Sequence, residues 1–150
     1  MRVFKLATTR WWMNMSMLAV LTLATCGIAL ADNGCPIKEM ALRGNYVFVG
    51  SGFTIVGGVA QPKAIVEVIN FNGDGTLTVP SFTRSINGTI GKSTPGVAGA
   101  GSYTVDTSCT GTISFTGGPS FDIVLSSKWD TIAMIQTNPD NVFHGTATKQ

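Results

Sequence analysis

The stretch Ala64-Ile65-Val66-Glu67-Val68-Ile69-Asn70-Phe71-Asn72-Gly73-Asp74-Gly75-Thr76-Leu77-Thr78-Val79 decides the fold. Eight residues rich in β-branched side chains run into Asn-Gly-Asp-Gly, and a second β-rich run follows. Asn, Asp and Gly tolerate positive φ, so residues 72–75 predict a tight hairpin turn between two antiparallel strands. The first run alternates Ile65, Glu67, Ile69 and Phe71 against Ala64, Val66, Val68 and Asn70. Both faces are therefore mainly apolar, whereas a half-solvated strand alternates apolar with polar. The expectation is that this strand is covered on both sides. One cover is the domain interior, and the other is the N-terminal segment or a second subunit.

Outward from this hairpin the same punctuation repeats. Asn45 to Phe53 reads as a strand, with Tyr46 and Phe48 on one face and Val47, Val49 and Phe53 on the other. Thr76 to Val79 is expected to break at Pro80 and resume from Phe82 to Ile86. Asn87-Gly88 is a further turn, and Thr89-Ile90 begins a short strand. Residues 92–101 are a loop rich in Gly, Pro and Ser. Strands are then expected at 102–107, 110–116, 121–126, 131–137 and 142–149, with turns at Ser108-Cys109, Gly117-Gly118-Pro119 and Asn138-Pro139-Asp140-Asn141. The only helical signal after residue 31 is one turn from Pro36 to Leu42. With no crossover helix, neighbouring strands must be antiparallel. An all-β meander of about eight strands hides its edges by closing into a small barrel, and an open sandwich is the alternative.

Residues 1–31 read as an export signal. Arg2, Lys5 and Arg10 precede an apolar stretch from about Met13 to Leu30, which ends in Ala29-Leu30-Ala31. Small residues at these positions fit a signal peptidase site, so the mature chain is expected to begin at Asp32, secreted or periplasmic. Rival readings are an uncleaved membrane anchor and a lipoprotein signal at Cys26, although Thr25 is a poor residue just before a lipidated cysteine. Residues 32–150 form a single domain. They carry seven Lys/Arg against eight Asp/Glu with no basic run. That argues against nucleic acid as a partner, and against stable membrane attachment after cleavage.

Within that domain two cysteines remain, Cys35 and Cys109. In an oxidising compartment they are expected to form one disulfide. Closing a loop of about 75 residues is worth roughly 4 kcal/mol on the chain-entropy model. No metal site is expected, because His144 is the only histidine and no other thiolate exists after residue 31.

The catalytic inventory is thin. His144 alternates with Val142, Thr146 and Thr148, and is expected to be a rim or packing residue rather than a base. No Gly-x-Ser-x-Gly elbow and no phosphate-binding glycine pattern occurs, and no cofactor is expected. Asn70-x-Asn72-x-Asp74-Gly75 mimics the start of a calcium loop, but Ser81 stands where its last acid should be. Glu67 is the one catalytic candidate. The expectation is a glutamate on the outer face, with Lys63 and Arg84 as its candidate partners. If it points inward instead, burial would raise its pKa and make it a proton shuttle or ligand anchor. Tyr46, Phe48, Glu67, Ile69 and Phe71 are the candidate ligand-binding residues.

Gly101-Ser102-Tyr103-Thr104-Val105-Asp106 followed by Cys109-Thr110-Gly111-Thr112, together with Asn72-Gly73-Asp74-Gly75-Thr76 and Gly145-Thr146-Ala147-Thr148-Lys149-Gln150, resembles a signature of small exported bacterial proteins, mostly uncharacterised. The resemblance covers most of residues 42–150. It implies a compact barrel similar to the calycins or to the allene oxide cyclase barrel, and it transfers no catalytic residue. Three functions follow as expectations: binding of a small apolar or aromatic ligand, cofactor-free isomerase or cyclase chemistry, or a structural, self-associating role. An open apolar cavity without ionisable groups would favour the first, an open cavity with a buried Glu67 the second, and a filled interior the third.

Overall fold

The computed structural model describes residues 38–94 and 96–150. A short 3-10 turn, η1 (Lys38–Ala41), precedes nine strands: β1 (Arg43–Val56), β2 (Val59–Asn72), β3 (Thr76–Ile86), β4 (Thr89–Lys92), β5 (Gly99–Val105), β6 (Thr110–Phe115), β7 (Ser120–Leu125), β8 (Thr131–Gln136) and β9 (Asn141–Lys149). Every pairing is antiparallel. The order β2-β1-β9-β8-β7-β6-β5-β3, with β3 returning to β2, closes a barrel of eight strands. The extra strand β4 hangs on β3 alone. Closure removes the open edges that a meander would otherwise expose.

Two features of the ladder differ from the sequence reading. β1 and β2 run longer than expected and meet at Gly57-Gly58, where φ is +57° and +79°. Positive φ at both central residues matches a two-residue hairpin turn, and glycine takes it without a Cβ clash. At Pro80 the strand does not break. Val68 pairs with Ser81 and Asn70 with Thr78, so Val79 and Pro80 together oppose Ile69 as a bulge. Proline lacks the ladder N–H, and a bulge is one of the few strand positions that tolerates this. β3 therefore continues, but it changes partner. Thr76–Val79 pairs with β5, and Thr83–Ile86 pairs with β4. The barrel wall forks at this point.

Along the forked end the cylinder stays open, and at the other end it is packed. Leu42, Tyr46, Ile69, Phe71, Leu77, Ile113 and Ile132 are all fully buried there. Tyr46, Phe71 and Tyr103 stack edge to face, with ring centroids 5.2 and 5.0 Å apart. η1 closes this end through Tyr103. The Tyr103 hydroxyl lies 2.9 Å from the carbonyl oxygens of both Glu39 and Leu42, shares its proton between them, and accepts from Gly73 N–H at 3.1 Å. Tyr46 donates likewise to the Trp129 carbonyl. Cys109 is buried in the β5–β6 turn. Its expected partner, Cys35, lies outside the described residues, as does the whole expected leader 1–31.

The outer face of β2 is not covered by the described residues. Val66 is 52% exposed, and Val49, its cross-strand neighbour on β1, is 56% exposed. No helix among the described residues is long and apolar enough to cross a membrane.

Candidate functional site

Strand register decides which side chains meet inside the barrel. Tyr46 pairs with Ile69 and Phe48 with Glu67, and all four sit on the buried face. Glu67 therefore points inward, with only 8% of its surface exposed. This corrects the outward placement expected from sequence. The outer residues Val66 and Val68 are as apolar as the inner ones, so the strand pattern carried no information on which face turned in. On the same inner face, Lys63, Ile65 and Glu67 descend in that order from the open rim. Phe82 lies opposite Glu67, and Arg84 opposite Ile65, on β3.

These residues line a cavity of about 210 Å³ in the open half, with Phe48, Phe115, Phe121 and Phe143 as its apolar wall. Phe48, Phe121 and Phe143 form a triangle of edge-to-face contacts, with centroids 5.9 to 6.3 Å apart. Phe115 joins Phe121 at 6.0 Å. The fork in β3 sets the opening. Gly99, Ala100, Thr116, Gly118 and Pro119 form the far side of the mouth, at the last β3–β5 pairs before β3 turns to β4.

Small residues make the ring cluster fit. Gly50 and Gly145 are paired across β1 and β9. A Cβ on Gly50 would come within 2.7 Å of the tips of both Phe48 and Phe143. Each glycine is thus a space reserved for a ring.

Polar groups are few and specific. Lys63 Nζ donates to Gln136 Oε1 at 2.9 Å and lies 4.3 Å from the centre of the Phe143 ring. Gln136 donates to Asn138 Oδ1 at 3.3 Å, which turns its own oxygen toward Lys63. The Glu67 carboxyl has no hydrogen-bond partner among the described residues. Burial pushes its pKa up to about 7, and Lys63 offsets this only in part. Burial also lowers the Lys63 pKa, as does the neighbouring Arg84, while Glu67 raises it. An acid poised near neutrality can donate or accept a proton at an enclosed apolar surface.

Of the five expected ligand residues, Phe48 and Glu67 line the cavity. Tyr46, Ile69 and Phe71 face inward but fill the closed half, where there is no room for a guest. Lys63, Phe82, Arg84, Phe121 and Phe143 complete the site and were not expected in it. Period-two spacing from Glu67 was the available signal for Lys63. His144 is exposed on the outer face of β9, and Asp122 on that of β7. Among the described residues, no group of three or more His, Cys, Asp or Glu side chains could hold a metal ion. No protein-family model matches the chain, and no curated protein or solved structure matches it either.

Proposed function

We propose that the barrel binds one small apolar or aromatic molecule in its open half. The observation that carries this reading is the cavity walled by Phe48, Phe115, Phe121 and Phe143, an apolar surface that either a carrier or an enzyme needs for its guest. A cavity of about 150 Å³ lined by apolar side chains already takes up benzene, so about 210 Å³ suits one or two rings. An apolar fluorophore is expected to bind at one per chain. Ile65→Trp fills the cavity wall and should abolish uptake. Val66→Trp, one residue along on the outer face, should leave it intact. Equal effects of the two substitutions, or no uptake by the folded protein, would defeat the reading.

A second reading rests on the Glu67 pKa of about 7. A carboxyl that titrates near neutrality beside an apolar guest can shuttle a proton, as a cofactor-free isomerase or cyclase requires. Glu67→Gln separates the two. A carrier releases its guest unchanged in wild type and variant alike, whereas an isomerase converts it in the wild type and loses that conversion, with affinity kept, in the variant. A purely structural role has less support, because the interior holds a cavity of about 210 Å³. Export rests on the leader pattern in residues 1–31 and belongs to the same proposal.

A further inference from the structure

Two cations face the same small apolar mouth, and no described carboxylate forms an ion pair with either; Glu67 acts on Lys63 only at longer range. Lys63 on β2 and Arg84 on β3 lie on one face of the sheet as diagonal neighbours, since Arg84 pairs with Ile65 and Lys63 with Ile86. Like charges so placed repel across a strand pair. Both side chains line the cavity. No described carboxylate pairs with either of them. Lys63 spends one of its three donors on Gln136. The Arg84 guanidinium has no described hydrogen-bond acceptor and only a distant ring contact, 6.0 Å from the centre of Phe82. Most of the donors at the rim are therefore unused.

Deeper in, the arrangement inverts. Glu67 sits four residues below Lys63 on the same face, which is about 13 Å along a strand. Around it stand Phe48 and Phe82, and the Phe121 and Phe143 rings complete the wall. From the rim inward a molecule meets Lys63, which already overlies the Phe143 ring, and then Glu67 with Phe48 and Phe82 paired beside it. An anion at the rim would relieve the repulsion between Lys63 and Arg84. A second anion further down would meet Glu67. A doubly charged head would also lose more hydration on entering so apolar a mouth.

We propose that the guest of this barrel is a small cyclic or aromatic monocarboxylate, its carboxylate held at the rim between Lys63 and Arg84 and its one- or two-ring body laid against Phe121 and Phe143. The inference rests on the ligand-binding reading above and deepens it to a chemical class. Arg84 supplies planar donors suited to a carboxylate, and Lys63 a point charge from the facing strand. The rings offer edges and faces to the body of the guest.

Three probes of equal size and different head charge test it: 2-naphthoate, 2-naphthamide and 2-naphthylmethylamine, titrated into the purified protein by calorimetry. Naphthoate is expected to bind about tenfold more tightly than the amide, the factor that one charge-assisted hydrogen bond supplies. Lys63→Met and Arg84→Met should each cut that preference severalfold. In both variants the acid should lose more affinity than the amide, with an unchanged circular dichroism spectrum showing that the barrel survives; an equal loss for the two probes would overturn the carboxylate site. Equal binding of acid and amide by the wild-type protein would overturn the carboxylate class and leave the apolar binder standing. Tightest binding by the amine would make Glu67 the anchor and overturn the proposal in favour of a cationic guest. If none of the three binds, the ligand-binding reading falls, and this inference with it.

Discussion

The ring of Phe48 occupies the space that a side chain on Gly145 would need. A Cβ there would come within 2.6 Å of the Phe48 ring edge and of the Gly50 backbone, and would also press on the Val49 carbonyl. Two of these three obstacles are main chain and cannot rotate away.

Gly145→Ala is therefore expected to destabilise the barrel by about 2–3 kcal/mol, in the range of overpacked core substitutions. Urea denaturation monitored by circular dichroism measures it. An unchanged midpoint would show that β1 and β9 can separate to admit the methyl group.

Tyr103→Phe removes the hydroxyl that ties η1 to the closed end. The Glu39 and Leu42 carbonyls and the Gly73 N–H each lose a partner. The expected loss is about 1–3 kcal/mol, the usual penalty for orphaning polar groups in a packed environment. The same variant should speed amide exchange in η1 and at Gly73 more than in β7 and β8. Uniform acceleration across all strands would contradict a local clasp.

Glu67 gives stability a pH dependence of defined sign. Its folded pKa, about 7, lies above the ordinary value of 4.5. Between those values the unfolded chain has released a proton that the folded chain retains. Stability therefore falls as pH rises from about 4.5 to about 7, and the cost is complete above that. Glu67→Gln removes this term. It is expected to be more stable than the wild type at pH 8, by up to roughly 3 kcal/mol, and similar to it at pH 4. A Gln variant less stable than the wild type at pH 8 would mean that the ionised carboxylate is favoured inside the barrel.

Much of the fold was legible in the chain, and the reasons are local. Asn72-Gly73-Asp74-Gly75 makes its turn through Asp74, whose carboxylate accepts from the Thr76 N–H at 2.9 Å and its hydroxyl at 2.6 Å. The alternation in β1 separated Tyr46 and Phe48 from Val49 and Phe53 as the structure does. The site was less legible. Alternation tells which face a residue occupies, but not how far along the barrel it lies. Ile69 and Phe71 share a face with Glu67, yet the closed end that η1 and Tyr103 create has already filled their level. That closure joins residues more than sixty positions apart. Arg84 reached the site by the bulge at Pro80, which the sequence presented as a break.

The mature protein is expected to begin at Asp32 and to carry a Cys35–Cys109 bridge, both of which we propose from sequence. Intact mass spectrometry of the exported form tests the two together. The mass should match residues 32–150 less two hydrogens, and reduction should restore them. Cys109→Ser should then lower stability by roughly 4 kcal/mol. Retention of Met1, a lipid on Cys26, or two titratable thiols in the native protein would each refute one part.

The pairing of β1 with β9 also has a consequence in time. Tyr46 meets Lys149 and Gly52 meets Phe143, partners roughly a hundred residues apart, while the other neighbouring strands of the cylinder follow one another in the chain, apart from β3 and β5, which have β4 between them. Loop-closure entropy makes this seam the slowest contact to form. Phe143 and Gly145 lie on the late-arriving strand, and they supply one wall of the cavity and the room for its central ring. Until the seam zips, the nascent meander has no guest chamber and shows its aromatic side chains to water. A molecule that fills the chamber would thus act on the final step of folding, slowing the reopening of that one seam.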